Sequence, residues 1–274
     1  NKTVMAIISI YTGLGKFNEA AEWTLKYYDE FGKSEQNPLS YIRRAADLYE
    51  KAGDIQKMRE LLSNFIKEME KQKKSNTYDV IYAKYKIAKS YEKPGEMEKI
   101  FSEIINIWPK LSEEDKIKAT NIYAEAKFNF AKKTFEEYKK IKITGEERQK
   151  QLADKLKRKS EMLKKVQTEM GDIAKLGDPN WSLAAIYYMG FAFQDFADML
   201  INSPLPQEIK AIRDPEEREL AEAVYREELE KQAFPLEDNA IKIFSGAVDR
   251  IKQLGVRNEW TALIFKHLKM LDPL

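Results

Sequence analysis

The chain has 274 residues, of which 43% are hydrophobic and 34% are charged, so it can bury a sizeable core and still expose many charged helix faces. The 47 lysines and arginines nearly balance the 45 acidic residues, and a formal net charge of +2 argues against a general nucleic-acid binder. Cysteine is absent, which excludes disulfides and thiol chemistry. No signal peptide is visible, and the helical pattern is already under way at Asn1, so we expect further repeats upstream in the complete protein.

Three glycines stand in similar surroundings in the first 111 residues, each four residues after a tyrosine and two residues before an apolar residue. The stretches read YTGLGKFNEAAEW, YEKAGDIQKMREL and YEKPGEMEKIFSE, and the glycines are Gly15, Gly53 and Gly95. Apolar or small residues then recur every three or four positions, which is the spacing of one helix face. Glycine suits the turn because it adopts backbone conformations that other residues resist. The pattern predicts three helix–turn–helix units.

This pattern resembles the tetratricopeptide repeat, a helix–turn–helix unit of 34 residues. It departs from that family in two ways. The glycines are about 38 and 42 residues apart, and Met58 and Ile100 stand where the family prefers Ala. The resemblance implies an all-α fold: a right-handed α-solenoid of helix pairs with a helical insertion and a C-terminal capping helix. We expect about twelve helices, the first three pairs filling residues 1–111.

Residues 112–178 keep the helical period without the repeat signature, and they predict a long helical hairpin. Thr144 is expected to cap its second helix, with Glu147 as the capping-box partner. Gly177–Asp178–Pro179 is expected to end that helix. Thirteen basic and six acidic residues lie between Lys132 and Lys165, so the hairpin carries a basic face.

Residues 179–274 predict a split repeat. Trp181–Leu200 is the most apolar stretch, and its core from Leu183 to Phe193 is too short to span a membrane. Gly190 inside it indicates that another helix comes close. An insertion at about 203–233, with a charged helix from Pro215 to Gln232, precedes a helix expected to begin at Pro235. Asn258 opens a capping helix, expected to expose a polar face and to end at Pro273.

The segment from about Phe128 to Pro273 also resembles a C-terminal module of large periplasmic repeat proteins in bacterial envelopes, including those of gliding-motility machinery. The resemblance lies in GDPNW, GFAFQDFAD, SPLP, YREELEKQAFPLEDNA and LGVRNEWT. It implies a scaffold in a bacterial multi-protein assembly and a periplasmic location. The residues themselves leave a cytoplasmic location open.

Catalytic and metal chemistry find little support in the sequence. The single histidine, His267, has no nucleophile motif or second ligand to work with, so it is interpreted as a packing or surface residue. The segment GLGKF lacks the leading glycine of a phosphate-binding loop. We interpret Glu227, Glu228 and Glu230 as part of a solvent-exposed helix face. We therefore expect no enzyme activity, no metal and no cofactor.

The leading hypothesis is a protein or peptide partner bound in the concave groove of the repeats. The repeat register places these residues in the groove: Met5, Ser9, Thr12, Arg43, Asp47, Glu50, Tyr85, Lys89 and Glu92. Met5, Ser9 and Tyr82 replace the residues with which some family members clamp a C-terminal carboxylate, so that mode is disfavoured. No nucleic acid and no transmembrane segment are expected, and the oligomeric state is open.

Two alternatives accompany the groove. A basic surface is formed in sequence by Lys155, Lys157, Arg158 and Lys159. An aromatic cluster could line the pocket of a ligand-binding regulatory or sensor domain, although packing in the core is the simpler interpretation. That cluster consists of Tyr187, Tyr188, Phe191 and Phe193.

Overall fold

The computed structural model describes residues 2–272, and within them all regular secondary structure is helical, with twelve α-helices, two short 3₁₀ turns and no strand. The expected all-α class and number of helices are confirmed. The chain divides into two compact units, Asn1–Ala126 and Lys127–Leu274. The three segments 1–111, 112–178 and 179–274 stay a prediction.

Unit 1 is a succession of helices in which each of the first five packs against the next. They are α1 (Lys2–Gly13), α2 (Phe17–Glu30), α3 (Leu39–Lys51), α4 (Ile55–Lys71), α5 (Tyr78–Lys89) and α6 (Pro94–Ile107), followed by the first part of α7 (Glu113–Lys139). Fully buried Ala20, Ala45 and Ala46 meet the larger Met58 and Leu62, so small residues on one helix make room for large ones on its neighbour.

Two of the predicted glycine turns share one geometry. Gly15 and Gly53 have φ of +70° and +76°, a conformation that glycine adopts without strain. The carbonyls of Tyr11 and Tyr49 each accept a 2.9 Å hydrogen bond from the backbone N–H five residues on, which closes the helix end as in a Schellman motif. The spacing of tyrosine and glycine that these two turns share therefore indicates a helix C-terminus.

The third turn is different, and the role predicted for Gly95 is wrong. Gly95 lies inside the first turn of α6, which begins at Pro94. Proline is favoured at the first helical position because its fixed φ suits the helix and its missing N–H is not needed there. The helix therefore starts one residue before the glycine that was expected to form the turn.

Unit 2 is built around α9 (Pro179–Ile201), which packs against α8, α11 and α12. The other helices are the rest of α7, α8 (Gln149–Ala174), α10 (Gln207–Lys210), α11 (Pro215–Leu254) and α12 (Glu259–Leu271). Gly177 has φ +80° after α8, and the Asp178 carboxylate accepts from two backbone N–H groups of α9. The predicted helix boundary at this point is confirmed.

Gly190 lies where α9 meets α11. A Cβ placed on Gly190 would come within 2.7 Å of two ring carbons of Phe244, a fully buried residue of α11. Ordinary carbon contacts are about 3.5–4.0 Å. The expectation that Gly190 marks a close helix approach is confirmed.

The predicted helix start at Pro235 is wrong, because α11 runs without interruption from Pro215 to Leu254. Asp214 caps it, its carboxylate accepting from the Glu217 N–H at 2.9 Å. Pro235 is exposed and removes one backbone hydrogen bond at the helix surface, which the 40-residue helix tolerates. The charged helix and the repeat-like helix are one element.

Thr144 and Glu147 interact, but not as the cap of α8. The Glu147 carboxylate accepts hydrogen bonds from the backbone N–H groups of Thr144 and Gly145 and from the Thr144 hydroxyl. The helix begins at Gln149, after both residues. The prediction found the right pair in the wrong role, because the carboxylate closes a loop rather than a helix end.

The final helix begins as predicted, with Asn258 accepting from the Thr261 N–H at 3.0 Å. It exposes Phe265 and Met270, so its open face is mixed rather than polar. The predicted stop at Pro273 lies outside the described residues. None of the helices between residues 2 and 272 has the length and hydropathy needed to cross a membrane.

Candidate functional site

The groove residues of α1 make only local hydrogen bonds. The Ser9 hydroxyl donates to the Met5 carbonyl at 3.1 Å, and the Thr12 hydroxyl donates to the Ile8 carbonyl at 2.7 Å. Met5 and Thr12 are half-buried and Ser9 is exposed. The hydroxyls therefore point back to their own helix.

The groove residues of α3 form polar contacts with α5. Arg43 pairs with Asp79, and Asp47 accepts from the Tyr82 hydroxyl at 2.5 Å. Lys86 lies between Asp47, at 2.9 Å, and Glu50. Burial alone would lower the pKa of the Lys86 ammonium, but its hydrogen bonds to Glu50 and Asp47 raise the pKa overall. The carboxylates of Asp47, Glu50 and Asp79 are thus paired with cations inside unit 1.

The groove residues of α5 repeat this arrangement one helix pair later. Tyr85 and Lys89 both bond the Glu125 carboxylate of α7, at 2.8 and 2.7 Å. Burial, followed by the charge of Glu125 and the hydrogen bond to it, raises the pKa of the Tyr85 phenol. Glu92 is exposed and lies beyond the end of α5.

Together these contacts form a polar ladder between the first helices of successive pairs. Its rungs join residues one repeat length apart: Arg43–Asp79, Asp47–Tyr82, Glu50–Lys86, Tyr85–Glu125 and Lys89–Glu125. Many of the polar groups predicted to receive a partner therefore hold unit 1 together. Partner binding by the groove stays a prediction.

The predicted basic surface needs one correction, because Lys159 is fully buried. Its ammonium lies 2.8 Å from Asp195 and donates to the carbonyls of Tyr138 and Ile141. Burial lowers the pKa of Lys159, and Asp195 opposes that shift. Lys159 therefore ties α8 to the end of α7 and to α9, and it cannot present charge to a partner.

The other three residues of that surface remain accessible. Lys157 and Arg158 are exposed, and Lys155 is half-buried. The Lys155 ammonium pairs with the buried Glu147 carboxylate and donates to the Lys142 carbonyl at 3.1 Å. Lys155 thus fastens the 141–148 loop to α8.

The aromatic cluster is part of the core of unit 2. Tyr187 and Phe191 stack with ring centroids 5.9 Å apart, and Tyr188 meets Phe135 edge-on at 4.8 Å. Phe193 is buried. His267 joins these rings, its Nδ1 lying 2.8 Å from the Gln194 amide oxygen, so it is a packing residue.

Unit 2 contains a cleft that sequence reasoning missed, with a volume of about 490 Å³. We call it the α8–α11 cleft. Its apolar lining comes from three elements: Leu152, Ala153 and Leu156 of α8, Pro206 and Ile209 at α10, and Tyr225 and Leu229 of α11. Glu208, Glu228 and Gln232 supply its polar groups. The two glutamates are exposed and make the cleft acidic.

The wall of the cleft formed by residues 203–210 is held on both sides. The Tyr225 hydroxyl lies 3.0 Å from the Ser203 hydroxyl, and Arg226 donates to the Ser203 carbonyl at 2.5 Å. On the other side, Gln207 donates to the Gly145 carbonyl at 3.4 Å. A Cβ on Gly145 would lie 2.6 Å from Pro204, so the loop and the wall are in close contact. These contacts preform the cleft.

The sequence held one signal of the cleft. Leu152 and Leu156 on α8, like Tyr225 and Leu229 on α11, are four residues apart and so share a helix face. The SPLP segment turns the chain between α9 and α11, and the sequence alone does not show how close this turn brings the two faces.

No protein-family model matches this sequence, and no curated protein matches it significantly.

Proposed function

We propose that this chain is a non-catalytic protein-interaction scaffold, built as a right-handed solenoid of tetratricopeptide-like helix pairs. The α8–α11 cleft carries the proposal. Small-molecule sites are usually apolar clefts of about 300–1,000 Å³ with a few placed polar groups, and this cleft, with about 490 Å³, can likewise receive one or two side chains of a protein partner. The resemblance of GDPNW, GFAFQDFAD and LGVRNEWT to segments of envelope repeat proteins is the basis for proposing a place in a bacterial envelope assembly, in the periplasm.

The chemistry of the cleft defines its partner as a protein segment with an apolar side chain beside a lysine or arginine. Leu156, Ile209 and Leu229 suit the apolar side chain, which gains free energy by leaving water. Glu208 and Glu228 flank that position and favour a cation. The polar ladder supports this choice of site, because it occupies the alternative groove residues with internal contacts.

The test is selection of peptides from a random 12-residue phage-display library on the full chain. We expect a consensus with a large apolar residue adjacent to Lys or Arg. Binding should weaken about tenfold or more in Glu228→Lys, which reverses a charge in the cleft, and in Gln232→Trp, which fills it. Glu230→Lys is the matched control, because it makes the same charge change on α11 outside the cleft.

Two outcomes would contradict the proposal. Selected peptides without a cationic residue would remove the role of the acidic side chains. Peptides that bind both cleft variants normally but lose binding to an Arg43→Glu, Tyr85→Ala variant would return the site to the concave groove.

The volume of the cleft also favours a second candidate, a regulatory domain that senses a small ligand. Ligand-observed NMR with a fragment library separates the two. Fragments displaced by Gln232→Trp, together with failure to select any peptide, would favour the sensor.

A further inference from the structure

The outer face of α11 carries an exposed stripe that no other described element covers. We define the α11 stripe as Leu220, Val224, Glu227, Lys231 and Phe234. At 3.6 residues per turn these positions lie within about 80° of one another. The three apolar side chains are 67%, 59% and 71% exposed, respectively. The buried residues Leu229, Ala233, Ala240 and Phe244 lie on the opposite side of the helix.

We infer that the α11 stripe pairs antiparallel with the same stripe of a second copy of this chain. The order of four of its residues, Val224, Glu227, Lys231 and Phe234, is self-complementary. With the two-fold axis at the level of residue 229, positions equally far from that level face each other. Val224 then meets Phe234 of the second copy, and Glu227 meets Lys231. Symmetry repeats both contacts, as a two-fold interface requires.

The charges select this orientation over the parallel one. A parallel two-fold pair would place Glu227 opposite Glu227 and Lys231 opposite Lys231, and like charges repel. The antiparallel pair forms two Glu–Lys contacts instead. Glu227 and Lys231 already pair within one chain at 2.7 Å while both stay about two-thirds exposed, so they can join a four-charge network.

The register leaves Leu220 outside the complementary contacts. It lies opposite Asp238, whose charge is already paired with Lys242 at 2.6 Å. Pro235 is exposed and adds an apolar surface beside Phe234. The contact is short, since residues 224 to 234 span about 15 Å of helix. We therefore expect a weak, concentration-dependent dimer rather than an obligate one.

Sedimentation equilibrium of the full chain between about 1 µM and 1 mM tests the inference, since this range covers weak complexes. Wild type should shift from monomer to dimer, and Phe234→Ser should remove the shift. Glu227→Lys and Lys231→Glu should each weaken dimerisation about tenfold or more, because each reversal creates two like-charge contacts. The double reversal Glu227→Lys, Lys231→Glu should restore it to near the wild-type value.

Mixing the two single-reversal proteins gives a sharper readout. At positions 227 and 231 one variant carries two lysines and the other carries two glutamates. We therefore expect these two variants, each of which dimerises poorly alone, to form a heterodimer when mixed. Glu114→Lys is the control, because Glu114 forms a similar exposed pair with Lys118 at 2.6 Å on α7. Circular dichroism of each variant verifies that the helices remain folded.

The orientation is measured separately with a spin label. The chain has no cysteine, so Glu217→Cys gives a single labelling site. The antiparallel dimer places the two labelled backbones about 36 Å apart along the helix, whereas a parallel dimer places them at the same level. A short distance overturns the antiparallel register. A monomer at every concentration, or a dimer indifferent to the charge reversals, overturns the inference as a whole.

Discussion

Gly190 offers a direct test of the packing between α9 and α11. Replacing it with Ala adds one carbon that would lie 2.7 Å from Phe244 Cε1 and Cζ, about 1 Å closer than an ordinary contact. Phe244 is fully buried, so its ring cannot move into solvent. The helices must therefore separate, or the ring must leave its preferred rotamer.

Two opposing effects set the magnitude of this change. Ala is favoured over Gly inside a helix by about 1 kcal/mol. Overpacking a filled core costs about 1–3 kcal/mol. We therefore expect Gly190→Ala to lower the free energy of unfolding by up to about 2 kcal/mol. Leu in place of Gly190 adds three further carbons and should unfold unit 2.

Two other helical glycines provide matched controls. Gly171 in α8 and Gly246 in α11 have no atom within 4 Å of an added Cβ. Their Ala variants should gain stability, by up to about 1 kcal/mol each. The assay is urea unfolding followed by circular dichroism, with the midpoint compared at unchanged slope. If Gly190→Ala gains as much as the controls, the close approach of α9 and α11 is refuted.

Two further predictions concern buried charges. Burial alone would raise the pKa of Glu147, but hydrogen bonds from Lys155, the backbone and Thr144 lower it to about 2. The carboxylate therefore stabilises the fold above its unfolded pKa of about 4.5 and loses this effect as pH falls towards 2. Urea unfolding should show Glu147→Gln less stable than wild type at pH 6, and the difference in unfolding free energy should narrow as pH falls from about 4.5 to about 2. A difference that stays constant over this pH range would contradict the prediction. Lys159→Met should cost up to about 3–5 kcal/mol, because it removes the 2.8 Å partner of the mostly buried Asp195 and leaves the longer 3.7 Å contact with Lys142. Lys159→Met with Asp195→Leu should recover most of the loss. Additive single-variant losses in that double-mutant cycle would show that the pair is not coupled.

The sequence could predict the helices but not every boundary. Apolar spacing located the long helices, and the tyrosine and glycine pattern located the turns at Gly15 and Gly53. The error at Pro235 came from treating proline as a helix start although the apolar face continues across it. Leu229, Ala233 and Ala240 keep helical spacing on both sides of the proline. A continuous face was therefore the stronger signal.

The burial of Lys159 could also have been predicted from spacing. Lys159 follows Leu156 by three residues and precedes Leu163 by four, so it fills a gap in the apolar stripe of α8. A lysine is usually exposed, so the residue type predicted a surface charge. Its position on the apolar stripe of α8 instead predicted burial. A buried lysine needs a partner, and nothing in the sequence singles out Asp195, 36 residues away, among the many acids of the chain.

The polar ladder shows which part of the groove prediction could not come from the sequence, namely the contacts that its residues make inside unit 1. Register alone placed the first helix of each pair beside the next. The contacts that matter join Arg43 to Asp79 and Lys89 to Glu125, each 36 residues apart. Opposite charges at that separation can be recognised as partners from the sequence only when the repeat length is known. The glycine spacing of about 38 and 42 is longer than the 36 residues that separate these pairs, so the spacing alone does not identify the partners.

The two proposed contacts of α11 use different faces of one helix. Tyr225, Glu228 and Gln232 line the cleft, and at 100° per residue their mean direction is about 115° from that of the stripe. A partner in the cleft and a second copy on the stripe can therefore bind together without competing. Phe234→Ser should abolish dimerisation and leave peptide affinity unchanged, whereas Gln232→Trp should do the reverse. Loss of both functions in either variant would mean that the two faces are coupled through the helix, and Pro235, which lacks a backbone N–H, is the first place to look for that coupling.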